Sequence, residues 1–194
     1  NMEKLRISVV DDESLIRMDI TEMLEDAGHE VVAEGENGQQ AIELAREYNP
    51  DIIIMDVKMP VMDGISAAKI ISEEEIAPVL LLTAFSQEDI VDKASEAGVI
   101  GYLVKPIREE QLFPAIKVAV QRFRDYKSLG LELEKLQESL ESRKLLDRAK
   151  GILMTAHGLT EQEAYRRMQQ FSMNKRISLK ELAEKIIAAA EKKK

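Results

Sequence analysis

The chain has 194 residues, 36 acidic against 27 basic, a formal net charge of −9, no cysteine, no tryptophan and two histidines. That composition suits a globular protein of one or two domains and excludes disulfides, thiol catalysis and cysteine-ligated metals, while His29 and His157 alone are too few for a histidine-rich zinc site. No apolar run approaches the ~18 residues needed to cross a bilayer and no signal-peptide pattern opens the chain, so a cytoplasmic protein without a membrane partner is expected; Asn1 ahead of Met2 reads as an expression scar.

The charge is divided. Residues 1–120 hold 10 basic and 25 acidic residues, a balance of −15, and residues 121–194 hold 17 and 11, a balance of +6. Opposite signs suggest two jobs, although charge alone equally fits a solvated helical face in the C-terminal part.

Strand-length apolar runs at residues 7–10, 30–33, 52–55, 79–82 and 102–104 alternate with helical patterns at 15–24, 40–48, 65–71 and 90–97. This alternation predicts an α/β doubly wound domain with five parallel strands covered on both faces. Breakers fall between the elements at Ala27-Gly28, Asn49-Pro50, Asp63-Gly64, Ala77-Pro78, Ala97-Gly98 and Lys105-Pro106. Ser86 and Asp89 have the spacing of a capping box for the fourth helix.

Polar residues follow the strands at their C-terminal ends, where open α/β sheets bind ligands: Asp11, Asp12 and Glu13 after the first, Asp56 after the third, Thr83 after the fourth and Lys105 after the fifth. The first three acids by themselves fit a solvated loop. Asp56 does not, because it directly follows Ile-Ile-Ile-Met, where a lone buried carboxylate is costly without a partner. Carboxylates converging on one crevice repel one another, a conflict that a hard cation such as Mg2+ relieves; a carboxylate can also act as a nucleophile and form an aspartyl phosphate.

With these motifs, residues 4–122 resemble the receiver domain of two-component response regulators. The resemblance is carried by Val10-Asp11-Asp12-Glu13, by the run from Met55-Asp56 through Lys58-Met59-Pro60 to Asp63-Gly64, by Leu82-Thr83-Ala84-Phe85 and by Tyr102-Leu103-Val104-Lys105-Pro106. It implies a flavodoxin-like fold with Asp56 as phosphoacceptor and Mg2+ held by Asp11, Asp12, Asp56 and the Lys58 backbone carbonyl. It also implies Thr83 and Lys105 on the phosphoryl oxygens, Tyr102 as the switch aromatic, and a cis Lys105–Pro106 peptide. Phosphoryl transfer needs an in-line nucleophile, a metal and a cation on the spreading charge, all of which this set supplies. Nothing further resembles a hydrolase or kinase apparatus, so a switch fed by a sensor histidine kinase is expected rather than an enzyme.

From Glu109 onward apolar residues take helical spacing at Leu112, Ile116, Val120 and Phe123, with Pro114 tolerable only in a first turn. Leu129, Leu133, Leu136 and Leu140 continue as a short coiled-coil seam within residues 123–142. Gly130 weakens this helix by about 1 kcal/mol relative to Ala and offers a hinge or a break. The leucines suit either packing back on the first domain or a homodimer helix that pairs on phosphorylation.

Residues 143–191 predict three helices around a small core. The first runs through Leu145, Leu146, Ala149, Ile152 and Leu153 to His157-Gly158. The second opens on a capping box from Thr160 to Glu163, with Leu159 stapled onto Ala164 and a buried face of Ala164, Met168 and Phe171; the third opens on a second box from Ser178 to Glu181, with Ile177 stapled onto Leu182. A helix-turn-helix reading is opposed by the third helix, whose Lys180 and Lys185 are offset by Glu181, Glu184 and Glu191. Arg143, Lys144, Arg148, Lys150, Arg166, Arg167, Lys175 and Arg176 instead make a surface suited to an irregular polyanion.

Residues 140–190 resemble the ANTAR domain, an RNA-binding antitermination module. The motifs are Arg148-Ala149-Lys150-Gly151-Ile152-Leu153-Met154, Thr160-Glu161-Gln162-Glu163-Ala164-Tyr165, and Ser172-Met173-Asn174-Lys175-Arg176 leading to Leu182-Ala183. The resemblance implies recognition of tandem RNA stem-loops through their loops, which prevents an intrinsic terminator from forming in nascent mRNA. Candidate contacts are Lys150, Gly151, Arg167, Ser172, Met173, Lys175 and Arg176, with stacking left to Tyr165, His157 or an arginine. Taken alone, Lys150 and Arg167 also fit solvated helix charges and Met173 fits a core. The rival functions are a DNA-binding transcriptional regulator and a signalling adaptor whose C-terminal helices bind protein.

Overall fold

The computed structural model describes residues 3–84 and 88–193, residues 88 and 89 by their backbone. The predicted cap at Ser86, and Phe85 of the fourth-strand motif, lie outside the described residues. The strands are β1 (Arg6–Val10), β2 (Glu30–Gly35), β3 (Ile52–Asp56), β4 (Val79–Thr83) and β5 (Gly101–Val104). The helices are α1 (Ser14–Asp26), α2 (Gly38–Tyr48), α3 (Gly64–Glu73), α4 (Glu88–Glu96), α5 (Glu109–His157), α6 (Glu161–Lys175) and α7 (Leu179–Glu191). The strands form one parallel sheet in the order β2-β1-β3-β4-β5, the flavodoxin-like order.

The uninterrupted apolar runs are explained by a sheet with two covered faces. Ile53, Met55, Val79 and Leu81 point into one core with α2, α3 and α4, and Ile52, Ile54, Leu80 and Leu82 point into the other with α1 and α5. Alternate residues of one strand therefore serve opposite cores, and β3 and β4 carry no polar position until Asp56 and Thr83 at their ends, while β1 buries Ser8 at its centre.

The chain divides into two compact units, Asn1–Lys127 and Ser128–Lys194. Helix α5 contributes to both and is continuous through Gly130, so the predicted break after Leu129 does not occur. Pro114 is the sixth residue of α5, beyond the first turn expected for it; the helix begins at Glu109 and runs on without a Pro114 N–H to give the Glu110 carbonyl. Leu129, Leu133, Leu136 and Leu140 are each about 60% exposed.

In the second unit Ala149, Met168, Leu182, Ala183 and Ile187 form the buried core, with Leu145, Leu146, Ile152, Leu153 and Ile177 packed against it. The box on α6 closes both ways between Thr160 and Glu163. On α7 only half of the box forms: the Ser178 hydroxyl accepts the Glu181 N–H, while the Glu181 carboxylate turns outward to Lys185 at 3.2 Å. Phe171 departs from expectation more sharply, being 48% exposed, because this core covers α6 only as far as Met168. No described helix is long and apolar enough to cross a membrane.

Candidate functional site

The parallel sheet brings the predicted polar residues to one edge. The β3–β4 register sets Asp56 beside Leu82, one residue before Thr83, and the Lys105 N–H donates to the Thr83 carbonyl at 2.8 Å. Each of Asp11, Asp12 and Asp56 offers a carboxylate oxygen within 4.8 Å of the others. Asp11 and Asp56 are buried and Asp12 is exposed. Lys105 reaches between them, with Nζ 3.1 Å from Asp11 Oδ2 and 3.3 Å from Asp56 Oδ1. Its peptide to Pro106 is cis, as expected.

The charge balance of this crevice is tense. Burial first, and the Asp11 carboxylate second, push Asp56 up to about 6, against the opposing pull of Lys105 and of the Val57 N–H, which donates to Asp56 Oδ1 at 2.9 Å. Burial alone would lower Lys105, but its hydrogen bond to Asp11 and the charge of both carboxylates hold the ammonium above its ordinary range. Three oxygen-donor acids at this spacing, with Lys105 the one cation paired to them among the described residues, fit a hard divalent ion that keeps several waters.

Three supporting residues escaped the sequence reading. Arg17 Nη1 donates to the Asp11 carbonyl at 2.7 Å while the same guanidinium faces Glu34 and Glu36, tying the acidic loop to the end of β2. Gly64 reads in sequence as a breaker that ends the receiver motif, yet a Cβ there would overlap the Asp56 carbonyl oxygen, so α3 starts as close to Asp56 as backbone permits. Between them, Val61 has φ 68° in a tight turn closed by the Met62 N–H on the Pro60 carbonyl at 2.7 Å. For a β-branched residue this backbone is strained, and it is held by the Gly38 N–H on the Met62 carbonyl at 2.8 Å. Lys58 is exposed on the same loop, and Tyr102, paired with Leu81 on edge strand β5, is 41% exposed.

The second unit treats its charges differently. Lys150 is not a free helix cation: its side chain is only 15% exposed, pairs with Asp147 at 3.1 Å and Glu161 at 3.0 Å, and lies over the Tyr165 ring at 5.8 Å. Arg148 pairs with Glu191 at 2.8 Å. The Ser172 hydroxyl donates to the Ile177 carbonyl at 2.7 Å, closing the turn after α6, where Arg176 takes a left-handed conformation. Met173 is exposed rather than core, and Gly151 faces open space. Arg167, Lys175 and Arg176 are exposed.

Comparison with known proteins agrees with this division. The family model of response regulator receiver domains matches residues 7–117, and that of the ANTAR domain matches residues 134–187. Transcriptional regulatory protein PdtaR of Mycobacterium tuberculosis is 50% identical over 182 residues, covering 94% of this chain and 89% of that protein. Chemotaxis protein CheY of Bacillus subtilis is 42% identical over 112 residues, covering 57% of this chain and 93% of its own. Among solved structures, the response regulator domain of Thermotoga maritima CheB aligns with TM-score 0.58 and 28% identity over 61% of this chain and 98% of that one. Both matched units are regulatory rather than catalytic, and the chain belongs to the response regulators, with a receiver domain followed by an ANTAR domain.

Proposed function

We propose that the chain is a cytoplasmic, phosphorylation-controlled antiterminator with no catalytic activity of its own. In this reading, residues 4–122 receive a phosphoryl group from a sensor histidine kinase. Residues 123–142 then pair as a homodimer seam through Leu129, Leu133, Leu136 and Leu140, and residues 143–191 grip tandem RNA hairpins so that a terminator does not form. The observation that carries it is the meeting of Asp56 with Asp11, Asp12 and Lys105 in one crevice, on the same chain as a basic ANTAR unit.

Asp11, Asp12, Asp56 and the Lys58 carbonyl would hold Mg2+, which when bound neutralises charge on the transferring group. An Asp56 carboxylate oxygen attacks phosphorus in line, and the bond from phosphorus to the donor imidazole breaks, leaving the nitrogen its electron pair. Lys105 stays protonated and follows the new phosphoryl oxygens, exchanging its bond to Asp56 for one to the phosphate, and the Thr83 hydroxyl takes a second oxygen. Tyr102 then turns from its exposed position as the switch. Dimerisation raises RNA affinity by avidity, about 10²- to 10⁴-fold, without new contacts.

Two measurements test this. Asp56→Asn and Asp56→Ala should abolish labelling by a small phosphodonor in Mg2+; labelling that persists at another residue sinks the site. Crosslinking and sequencing of bound nucleic acid, with and without phosphodonor, should enrich tandem hairpin RNA only in the phosphorylated sample. Enrichment of duplex DNA would establish the promoter-binding rival, and the absence of salt-sensitive RNA binding would establish the adaptor. If about four phosphates are neutralised, the log–log salt slope should be roughly −3, at about −0.7 per contact.

A further inference from the structure

The ANTAR unit carries two hollows of opposite character. One, of about 410 Å3, is lined by Lys150, Gly151 and Tyr165 but also by Asp147 and Glu161. Of its two cations, Lys150 is already paired with both acids and lies over the Tyr165 ring, which leaves Arg143 as the cation without an ion pair among the described residues, and an approaching phosphate meets the two carboxylates as well. The other, of about 250 Å3, has a floor of Leu153, Met168, Leu182 and Ile186, with the ring of Phe171 in its wall. The ionisable groups lining it are Arg167 and His157, and no carboxylate does. Among the described residues Arg166, Arg167, Lys175 and Arg176 form no ion pair within 4 Å. At less than the roughly 300–1,000 Å3 of drug-sized pockets, the hollow suits a single flat ring system.

We infer that this second hollow, beside Phe171 and Arg167, receives one unpaired base of an RNA loop. The inference rests on the RNA reading above and moves base recognition away from Lys150 and Tyr165. RNA loops are read by splaying a base onto an aromatic ring while cations hold the flanking phosphates. Phe171 is a half-exposed ring on an apolar floor, and Arg167 supplies positive charge in the same wall, with the His157 imidazole beside it as a hydrogen-bonding group. A protein side chain or a second copy would fill the floor but leave that charge unused. Lys150 is then a positioning residue that fixes α5 against α6 through Glu161.

The test uses the full chain, phosphorylated by a small phosphodonor in Mg2+, and a hairpin RNA pool with a randomised loop carrying 4-thiouridine. Phe171→Leu should weaken binding about 5- to 140-fold, which is the ~1–3 kcal/mol of one base–aromatic stack at 1.4 kcal/mol per tenfold, with the salt slope unchanged. Phe171→Tyr should restore it. Arg167→Gln should make the slope shallower by about 0.7. Crosslinks should fall in the tryptic peptide 168–175, which holds Phe171. Wild-type affinity in Phe171→Leu, or crosslinks confined to Lys150 and Tyr165, overturns the inference while leaving RNA binding in place. Loss of dimer in Phe171→Leu by size-exclusion chromatography overturns it in favour of a second copy. Failure of the wild-type chain to bind the pool removes this inference and the parent reading together.

Discussion

The receiver works with charges taken out of water, and the ANTAR unit works with charges and a ring left in it. In the receiver, Asp11 and Asp56 are buried around Lys105, and burial beside a like charge raises Asp56 to about 6. In the ANTAR unit Arg167, Lys175 and Arg176 are exposed, and the buried residues are alanines and larger apolar side chains such as Met168, Leu182 and Ile187. The first arrangement stores electrostatic tension that a phosphoryl group and a cation would release under the proposed function. The second offers a surface whose energy is realised only when a polyanion arrives. A switch and a reader therefore place their stability costs differently: the receiver carries its cost in the free protein, and the reader defers it to the complex.

The largest test of this contrast concerns close packing at Asp56. Gly64→Ala drives a methyl into the Asp56 carbonyl and must push the start of α3 off the loop, breaking the Gly64 N–H bond to the Val57 carbonyl. A loss of about 3 kcal/mol is expected, read as a lowered melting temperature of the receiver alone. Unchanged melting would mean that the loop yields freely and that the crevice is not preorganised.

Removing the stored tension is the next largest effect and has the opposite sign. Asp56→Asn deletes one of two mutually repelling carboxylates while leaving Lys105 its partner Asp11, so in EDTA the inactive variant should be more stable at neutral pH, by about 2 kcal/mol. The folded-state value of Asp56, about 6, lies above the ordinary 3.8. Its contribution is therefore favourable below 3.8 and is lost as pH rises through about 6. Wild-type and variant melting curves should diverge across that window; parallel curves would show that the crevice tolerates both charges.

The same contrast explains what was legible in the sequence. Asp56 stood out because an acid directly after Ile-Ile-Ile-Met has no cheap resting place, and a parallel sheet covered on both faces followed from the apolar runs, whereas the strand order was implied only by the receiver resemblance. Arg17 was not legible, because a helix arginine six residues from Asp11 looks like any surface charge until the chain folds its guanidinium onto a carbonyl. Asp63-Gly64 announced a turn but not the contact that forbids a side chain there. In the ANTAR unit, periodicity placed Phe171 on the face of Ala164 and Met168, which it shares, but periodicity names a face and not how far a core extends along it. Lys150 looked free although Asp147 three residues earlier was visible, because Glu161 joins only across the turn. Charges that must be buried reveal themselves in sequence; charges that stay in water do not reveal whether a neighbour has already claimed them.

The smallest expected effect separates folding from reading at a single atom. Gly151 lies inside α5 with no heavy atom within 4 Å of where a Cβ would stand, so Gly151→Ala should stabilise the ANTAR unit by about 1 kcal/mol through helix propensity alone. If RNA approaches the backbone there, the same methyl should raise the dissociation constant for hairpin RNA. Stability and affinity would then move in opposite directions, whereas Gly64→Ala should lose stability and phosphorylation together. Affinity that rises or holds while the helix is stabilised would remove Gly151 from the RNA surface. It would leave the face around Phe171 and Arg167 as the reader.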